Sequence, residues 1–220
     1  MITFEQIEKA VAEANLGFHL VRDYHGNFGM SNHMHPLSIL PAEAKVIHEE
    51  IIRVNAKRGY EIATAFGVST AVIGHALKQN GGKLVSMDAY IEEHVNNCSN
   101  YDVNTRQSFE NADGYRCARA LLQNFGLDNV TLEVGWSPTD VPRVLDGQRL
   151  DLVFIDGGHT QEQITLDTQS VIPYLNPEKH IIFYHDSHCN GPDIHEFWSS
   201  KGYKHNVYGT VYNLISYEKV

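Results

Sequence analysis

Leu150-Asp151-Leu152-Val153-Phe154-Ile155-Asp156-Gly157-Gly158-His159 is the stretch on which the reading of this chain turns. Residues 150–155 are almost continuously apolar, as a strand covered on both faces must be, and such strands belong to parallel sheets. The run stops abruptly in a carboxylate, two glycines and an imidazole. A second stretch, His180-Ile181-Ile182-Phe183-Tyr184 followed by His185-Asp186-Ser187-His188, repeats the plan. Residues 160–175 between them carry a helical pattern, so the two runs form one strand–helix–strand unit.

The same alternation extends outward. Strands are expected at 60–64, 83–88 and 130–134, with helices at 70–79, 115–125 and 140–145. After a helix at 194–200 come two β-rich runs, 203–208 and 211–217, with only Gly209-Thr210 between them. That gap is too short for a crossover helix and predicts an antiparallel hairpin. Near the start, Thr3 and Gln6 read as a capping box, and Phe4, Ile7, Val11 and Ala14 mark one helical face. Pro41 suits the first turn of another helix. Ala44, Ile47, His48, Ile51 and Val54 continue it to about Lys57, with Gly59 as its stop. Residues 17–40 read as irregular, and 90–112 as a polar stretch with few apolar anchors. The expected fold is α/β: a doubly wound, mostly parallel, Rossmann-like seven-stranded sheet ending in an antiparallel hairpin. Residues 1–58 are its N-terminal helical extension or cap, and 59–220 the sheet domain.

Composition limits what such a domain does. The 220 residues carry a net charge of −10, which opposes a nucleic-acid surface. No apolar run reaches the ~18 residues of a membrane helix, and Met1-Ile2-Thr3-Phe4-Glu5-Gln6 lacks the pattern of a signal peptide. Cys98, Cys117 and Cys189 are dispersed, which argues against a disulfide framework or a cysteine zinc site and suits a reducing cytoplasm. The 13 histidines are the unusual entry in the composition.

In an open α/β sheet, ligands bind beyond the carboxyl ends of the strands, so the residues after each strand are the candidates. Ala65-Phe66-Gly67-Val68-Ser69-Thr70 is a strand-to-helix turn whose glycine and N–H groups suit close approach of an anion. Asp88 can accept hydrogen bonds from a ribose. Gly135, Trp136 and Ser137 can flank an adenine. Asp156 and His159 fall beside His185, Asp186 and His188, an oxygen and nitrogen set suited to Mg²⁺, Mn²⁺ or another divalent ion. Each has a structural alternative: an ordinary turn, a helix N-cap, a tryptophan covering the sheet edge, turn-capping aspartates beside solvated histidines. His33 and His35 read as exposed loop residues or as parts of a lid. The remaining histidines read as surface or partly buried, and Tyr203, Tyr208, Tyr212 and Tyr217 as sheet packing.

Taken in order, Glu61-Ile-Ala-Thr-Ala-Phe-Gly67-Val-Ser-Thr70, Ser86-Met-Asp88, Gly135-Trp-Ser137, Asp151 to His159 and Tyr184-His-Asp186 resemble the class I S-adenosylmethionine-dependent methyltransferases. The similarity covers about residues 44–220 and is strongest to the small-molecule O-methyltransferase-like branch. It implies methyl transfer from S-adenosylmethionine to a hydroxyl of a small molecule, with a divalent metal assisting. It implies that Glu61, Ala63, Gly67 and Ser69 hold the methionine end, Asp88 the ribose, and Trp136 and Ser137 the adenine, with Asp156 at the edge of the cofactor. Asp156, Asp186 and His185 would ligate the metal, with Asp156 and His159 as the catalytic pair and His159 as general base. It also implies pairing of two copies through N-terminal helices. The chain departs from the family at Ala63 and Ala65, where glycine is usual in the first motif, and at Ser187, where catechol-type members often have asparagine. The rival readings are a nucleotide- or nicotinamide-dependent enzyme on a related sheet and a degenerate, non-catalytic nucleoside-binding protein.

Overall fold

A computed structural model describes residues 1–23, 28–31, 38–89, 113–186 and 191–219. Helix α1 (Phe4–Glu13) opens with the Thr3/Gln6 capping box and buries Phe4, Ile7, Ala10 and Val11. Residues 17–40 are not wholly irregular. They contain two short strands, β1 (Leu20–Arg22) and β2 (Phe28–Met30), paired antiparallel with Leu20 opposite Met30. Three-residue strands are too short to show alternation, which is why the sequence pattern hides them. Packing holds them: Phe28 stacks on Phe4 with centroids 4.8 Å apart, and Arg22 lies over Phe28 while binding Glu8 at 2.6 Å.

Helix α2 (Pro41–Val54) stops at Asn55, which adopts the left-handed conformation at φ 51°. Gly59 is therefore not the stop. It lies inside β3 (Arg58–Ile62), where a Cβ would come within 2.6 Å of Leu77 Cδ1. The remaining elements alternate as expected, with bounds shifted by a few residues: α3 (Val68–Gln79), β4 (Lys83–Asp88), α4 (Asp113–Asn124), β5 (Val130–Val134), α5 (Val141–Leu145), β6 (Leu152–Ile155) and α6 (Gln161–Val171). A 3₁₀ turn over Ile172–Tyr174 finishes the helix expected to run to 175, because Pro173 cannot continue it. Then come β7 (His180–Tyr184), α7 (Gly191–Ser199), β8 (Lys204–Val207) and β9 (Ile215–Lys219).

The sheet order is β5-β4-β3-β6-β7-β9-β8. Its first five strands run parallel, and β9 enters antiparallel between β7 and β8. The structure thus has the seven-stranded, doubly wound sheet with its closing antiparallel pair. Leu152 and Phe154 of β6 and Ile181 and Phe183 of β7 face one core, shared with α1, α2 and α3. Val153, Ile155, Ile182 and Tyr184 face the other, shared with α5, α6 and Trp198 of α7. The period-two alternation sends neighbours to opposite covered faces, so each run reads as unbroken apolar sequence. Tyr217 is fully buried, consistent with sheet packing for the tyrosine-rich end, and His180 is buried between Asn176 O and the Tyr203 hydroxyl. No helix among the described residues is long and apolar enough to cross a membrane.

Candidate active site

The parallel ladder continues one step past the strand ends, and this step builds the site. Asp156 N donates to Ile62 O at 3.2 Å, His185 N to Ile155 O at 3.1 Å, Ala63 N to Met87 O at 2.9 Å and Gly135 N to Asp88 O at 3.0 Å. The residues after each strand are therefore fixed by backbone pairing, side by side along the carboxyl edge.

On the β3–β4–β5 side lies a cavity of about 190 Å³. Ala63, Asp88, Trp136 and Ser137 line it, together with Gly157, Gly158, Gln163 and Asp167. Asp88 Oδ2 accepts from Ala65 N at 2.7 Å. Asp140 fixes the turn by accepting from Trp136 N at 2.9 Å, and Gly135 is required there because a Cβ would meet Asp140 and Met87 within 2.8 Å. Gln163 Nε2 bridges Ser137 O and Asp167 Oδ1 at 3.0 and 2.7 Å. Burial pushes the Asp167 carboxyl up against the pull of Ser137 and Gln163. Ala63 and Ala65 stand at φ 77° and 47°, in the left-handed region that disfavours side chains.

Glu61, Gly67 and Ser69 are buried behind this turn and do not line the cavity. Glu61 is fully buried and accepts from the Thr70 and Ser86 hydroxyls at 2.6 Å each. Its Oε1 has no hydrogen-bond partner among the described residues. Burial pushes the Glu61 carboxyl up to about 7, against the pull of the nearby Ser69, Ser86 and Thr70 hydroxyls. Gly67 caps α3 at φ 85°, and a Cβ there would stand 2.7 Å from Ala118 of α4. Glycine at 67 is thus demanded by the turn and by helix packing.

The β6 and β7 ends carry the second half of the site. One ligand-capable atom each from Asp156, His185 and Asp186 lies within 4.8 Å of the others. His185 Nδ1 is 3.1 Å from both Asp156 Oδ1 and Asp186 Oδ2. Asp186 sits at φ 50°, a conformation aspartate tolerates, and this turns its carboxylate back toward the ring. His159 is exposed, with Nε2 3.4 Å from Asp186 Oδ2 and 3.9 Å from Asp156 Oδ1.

Charge around these groups is tightly balanced. Burial opposes the charge on His185, yet Asp156, Asp186 and Glu43 push its pKa far above the ordinary imidazole value. Burial alone would raise Asp156, but His185 and His159 outweigh it and hold Asp156 below the usual carboxylate range. His159 is raised by the nearby Asp156 carboxylate, with burial opposing and Asp186 adding. The donor set fits a divalent cation, since two carboxylates and an imidazole, the usual oxygen and nitrogen ligands of such ions, converge within 4.8 Å.

Residues 32–37, 90–112 and 187–190 lie outside the described part, and with them His33, His35, Ser187, His188 and Cys189. Sequence reasoning missed four residues. Gln163 and Asp167, four apart on α6, show only as polar helix positions. Tyr212 has its ring 5.7 Å from that of His185. Glu43 on α2 contacts His185 at 2.9 Å, and nothing in its own neighbourhood signals that contact.

The model of a family described as a methyltransferase domain matches residues 60–187. No curated protein matches the chain. Among solved structures, the O-methyltransferase TomG from Streptomyces achromogenes, in complex with SAM, is similar at TM-score 0.62 and 17% identity, covering 98% of this chain and 88% of its own. An O-methyltransferase from Bacillus cereus in complex with SAH is similar at TM-score 0.62 and 17% identity, covering 97% and 88%. A methyltransferase from Geobacter sulfurreducens is similar at TM-score 0.58 and 13% identity, covering 80% and 77%. At these identities the structural likeness speaks for the fold.

Proposed function

Because the chain belongs to the methyltransferase-domain family, we propose that it transfers the methyl group of S-adenosylmethionine to a hydroxyl of a small molecule, with a divalent metal assisting. One observation carries this reading. Gly157 and Gly158 line the cavity, and they are the two residues between Asp156 and His159 of the charged cluster. A nucleoside in the cavity would thus lie against the groups that handle a proton. The solved O-methyltransferases with SAM or SAH support the choice of cofactor.

In this reading Asp88 accepts the ribose hydroxyls, while its bond from Ala65 N keeps the carboxylate aimed. Trp136 and Ser137 hold the adenine, with Ser137 O and Asp167 kept in place by Gln163. Glu61 stiffens the turn from beneath through Thr70 and Ser86. Bound S-adenosylmethionine supplies an electrophilic methyl group, and the protein's contribution is to align the acceptor and exclude water. Asp156, Asp186 and His185 would hold the cation, whose chemistry there would be to lower the pKa of an acceptor hydroxyl. His159 Nε2 takes the hydroxyl proton. Asp156 and Asp186 stabilise the resulting imidazolium, since both lie within 4 Å of that nitrogen. Residues 1–58 act as a cap over the pocket and as a surface for pairing with a second copy. The net charge of −10 favours a small acceptor over nucleic acid, and the dispersed cysteines suit a cytoplasmic protein.

Calorimetry with S-adenosylmethionine, S-adenosylhomocysteine and NAD tests the proposal. Saturable binding of both sulfur nucleosides, and none of NAD, is expected. Failure of both to bind at millimolar concentration overturns it.

A further inference from the structure

Glu43 is fully buried, and it comes from α2 rather than from the strand ends that form the rest of the site. Its Oε2 accepts from Leu40 N at 2.8 Å and from His185 Nε2 at 2.9 Å. Its Oε1 has no hydrogen-bond partner among the described residues. The only cation within ion-pair distance of Glu43 among those residues is His185. A buried carboxylate placed this way is costly unless the contact does something.

As a metal ligand, in place of its ion pairs with the carboxylates, His185 would be neutral, with one N–H and one lone pair. Glu43 accepts the Nε2–H at 2.9 Å, which leaves Nδ1, 3.1 Å from both Asp156 Oδ1 and Asp186 Oδ2, as the nitrogen free to ligate a cation shared with those carboxylates. Metal-binding histidines are commonly fixed by a carboxylate on the far ring nitrogen in this manner. We propose that Glu43 is a positioning residue that presents His185 Nδ1 as a metal ligand, making a two-carboxylate, one-imidazole site that prefers Mn²⁺ to Mg²⁺. The preference follows from donor chemistry, because nitrogen ligands favour first-row transition ions while Mg²⁺ favours oxygen alone. The inference rests on the metal reading proposed above and adds to it a residue from outside the methyltransferase match, which begins at residue 60.

The test is Mn²⁺ binding to the full chain, followed by electron paramagnetic resonance at fixed pH, with ¹⁴N coupling to the bound ion as a second readout. Wild type should bind Mn²⁺ saturably, show ¹⁴N coupling, and yield to Mg²⁺ only in about tenfold or greater excess. Glu43→Leu should bind about 10–100-fold more weakly and lose the coupling. Glu43→Gln keeps an oxygen acceptor for Nε2–H and should recover most of both. Unchanged affinity and coupling in Glu43→Leu, or displacement by equimolar Mg²⁺, overturns the inference alone. If Glu43→Leu does not fold, the small loss in Glu43→Gln must vanish in a His185→Gln background, and a loss that persists there overturns the inference. Absence of saturable Mn²⁺ binding in wild type, or equal binding by Asp186→Ala, overturns the metal reading itself.

Discussion

Replacing Ala63 with glycine removes one methyl group from a residue held at φ 77°. The backbone cannot relax, because Ala63 N is bonded to Met87 O at 2.9 Å and the next turn is pinned by Asp88 on Ala65 N at 2.7 Å. An L-residue in this region costs ~1–2 kcal/mol relative to glycine. Glycine in turn loosens the unfolded chain, which costs ~0.4–1 kcal/mol. The balance favours Ala63→Gly by about 0.5–1 kcal/mol, or a rise in Tm of roughly 1–3 °C for a chain of this size. Ala120→Gly, in the middle of α4 and partly exposed, supplies the opposite sign. It should cost about 1 kcal/mol and lower Tm by roughly 2–4 °C. Thermal unfolding followed by circular dichroism reads both. Since Ala63 lines the cavity, calorimetry with S-adenosylhomocysteine should show affinity equal to wild type or tighter. If Ala63→Gly lowers Tm as Ala120→Gly does, the turn is not strained at residue 63 and the reasoning fails.

Other consequences can be measured in parallel. Glu61, at about 7 when folded against an ordinary 4.5, holds its proton more tightly in the native state. Its stabilising contribution is complete below pH 4.5 and disappears as pH rises through 7, a change of up to about 3 kcal/mol. In urea unfolding of the unliganded chain, the stability difference between wild type and Glu61→Gln should therefore shift in favour of the variant from pH 5 to 8, and a difference independent of pH would refute the assignment. Asp88→Asn should weaken S-adenosylhomocysteine by about 10–100-fold, the worth of one or two charge-assisted hydrogen bonds; affinity within twofold of wild type removes Asp88 from the cofactor site. His159→Gln should lower kcat by about 10²–10⁴ with little change in cofactor affinity. The wild-type rate should fall on the acid side below a pKa above 6.5, since Asp156 raises His159; a variant with the same rate and acid limb would acquit His159.

The fold is legible where burial is two-sided. Residues 152–155 and 180–184 are covered by helices on both faces, so no alternation interrupts their apolar runs. Asp156, His185 and Asp186 are legible as neighbours for the same reason, because they follow two such strands that pair in register, with Ile155 opposite Tyr184. The short hairpin of β1 and β2 is not legible, since its stability comes from Phe4 and Glu8 on α1 and not from its own pattern. The role of Gly59 is misread locally because its smallness answers to Leu77, Leu84 and Leu152, all distant in sequence. Asn55 takes the left-handed position instead, a conformation a short polar side chain accepts. Glu43 is the extreme case. Its contact with His185 spans 142 positions, and a glutamate in a first helical turn already has a sufficient local explanation as a cap.

That span has a consequence for the order in which the protein is assembled. The cavity beside Asp88 is built chiefly from β3, β4 and β5, whose pairings are local by comparison. Asp156 meets His185 across 29 positions as β6 and β7 pair, but Glu43 reaches His185 only when α2 has met the end of β7, and Arg53 of the same helix also joins Glu218 of β9, at 2.6 Å and 165 positions away. Contacts of such separation form late, after shorter loops have closed. Glu43 would thus be the last of these groups to reach the site, its helix docking only after the residues that follow β6 and β7 have come together.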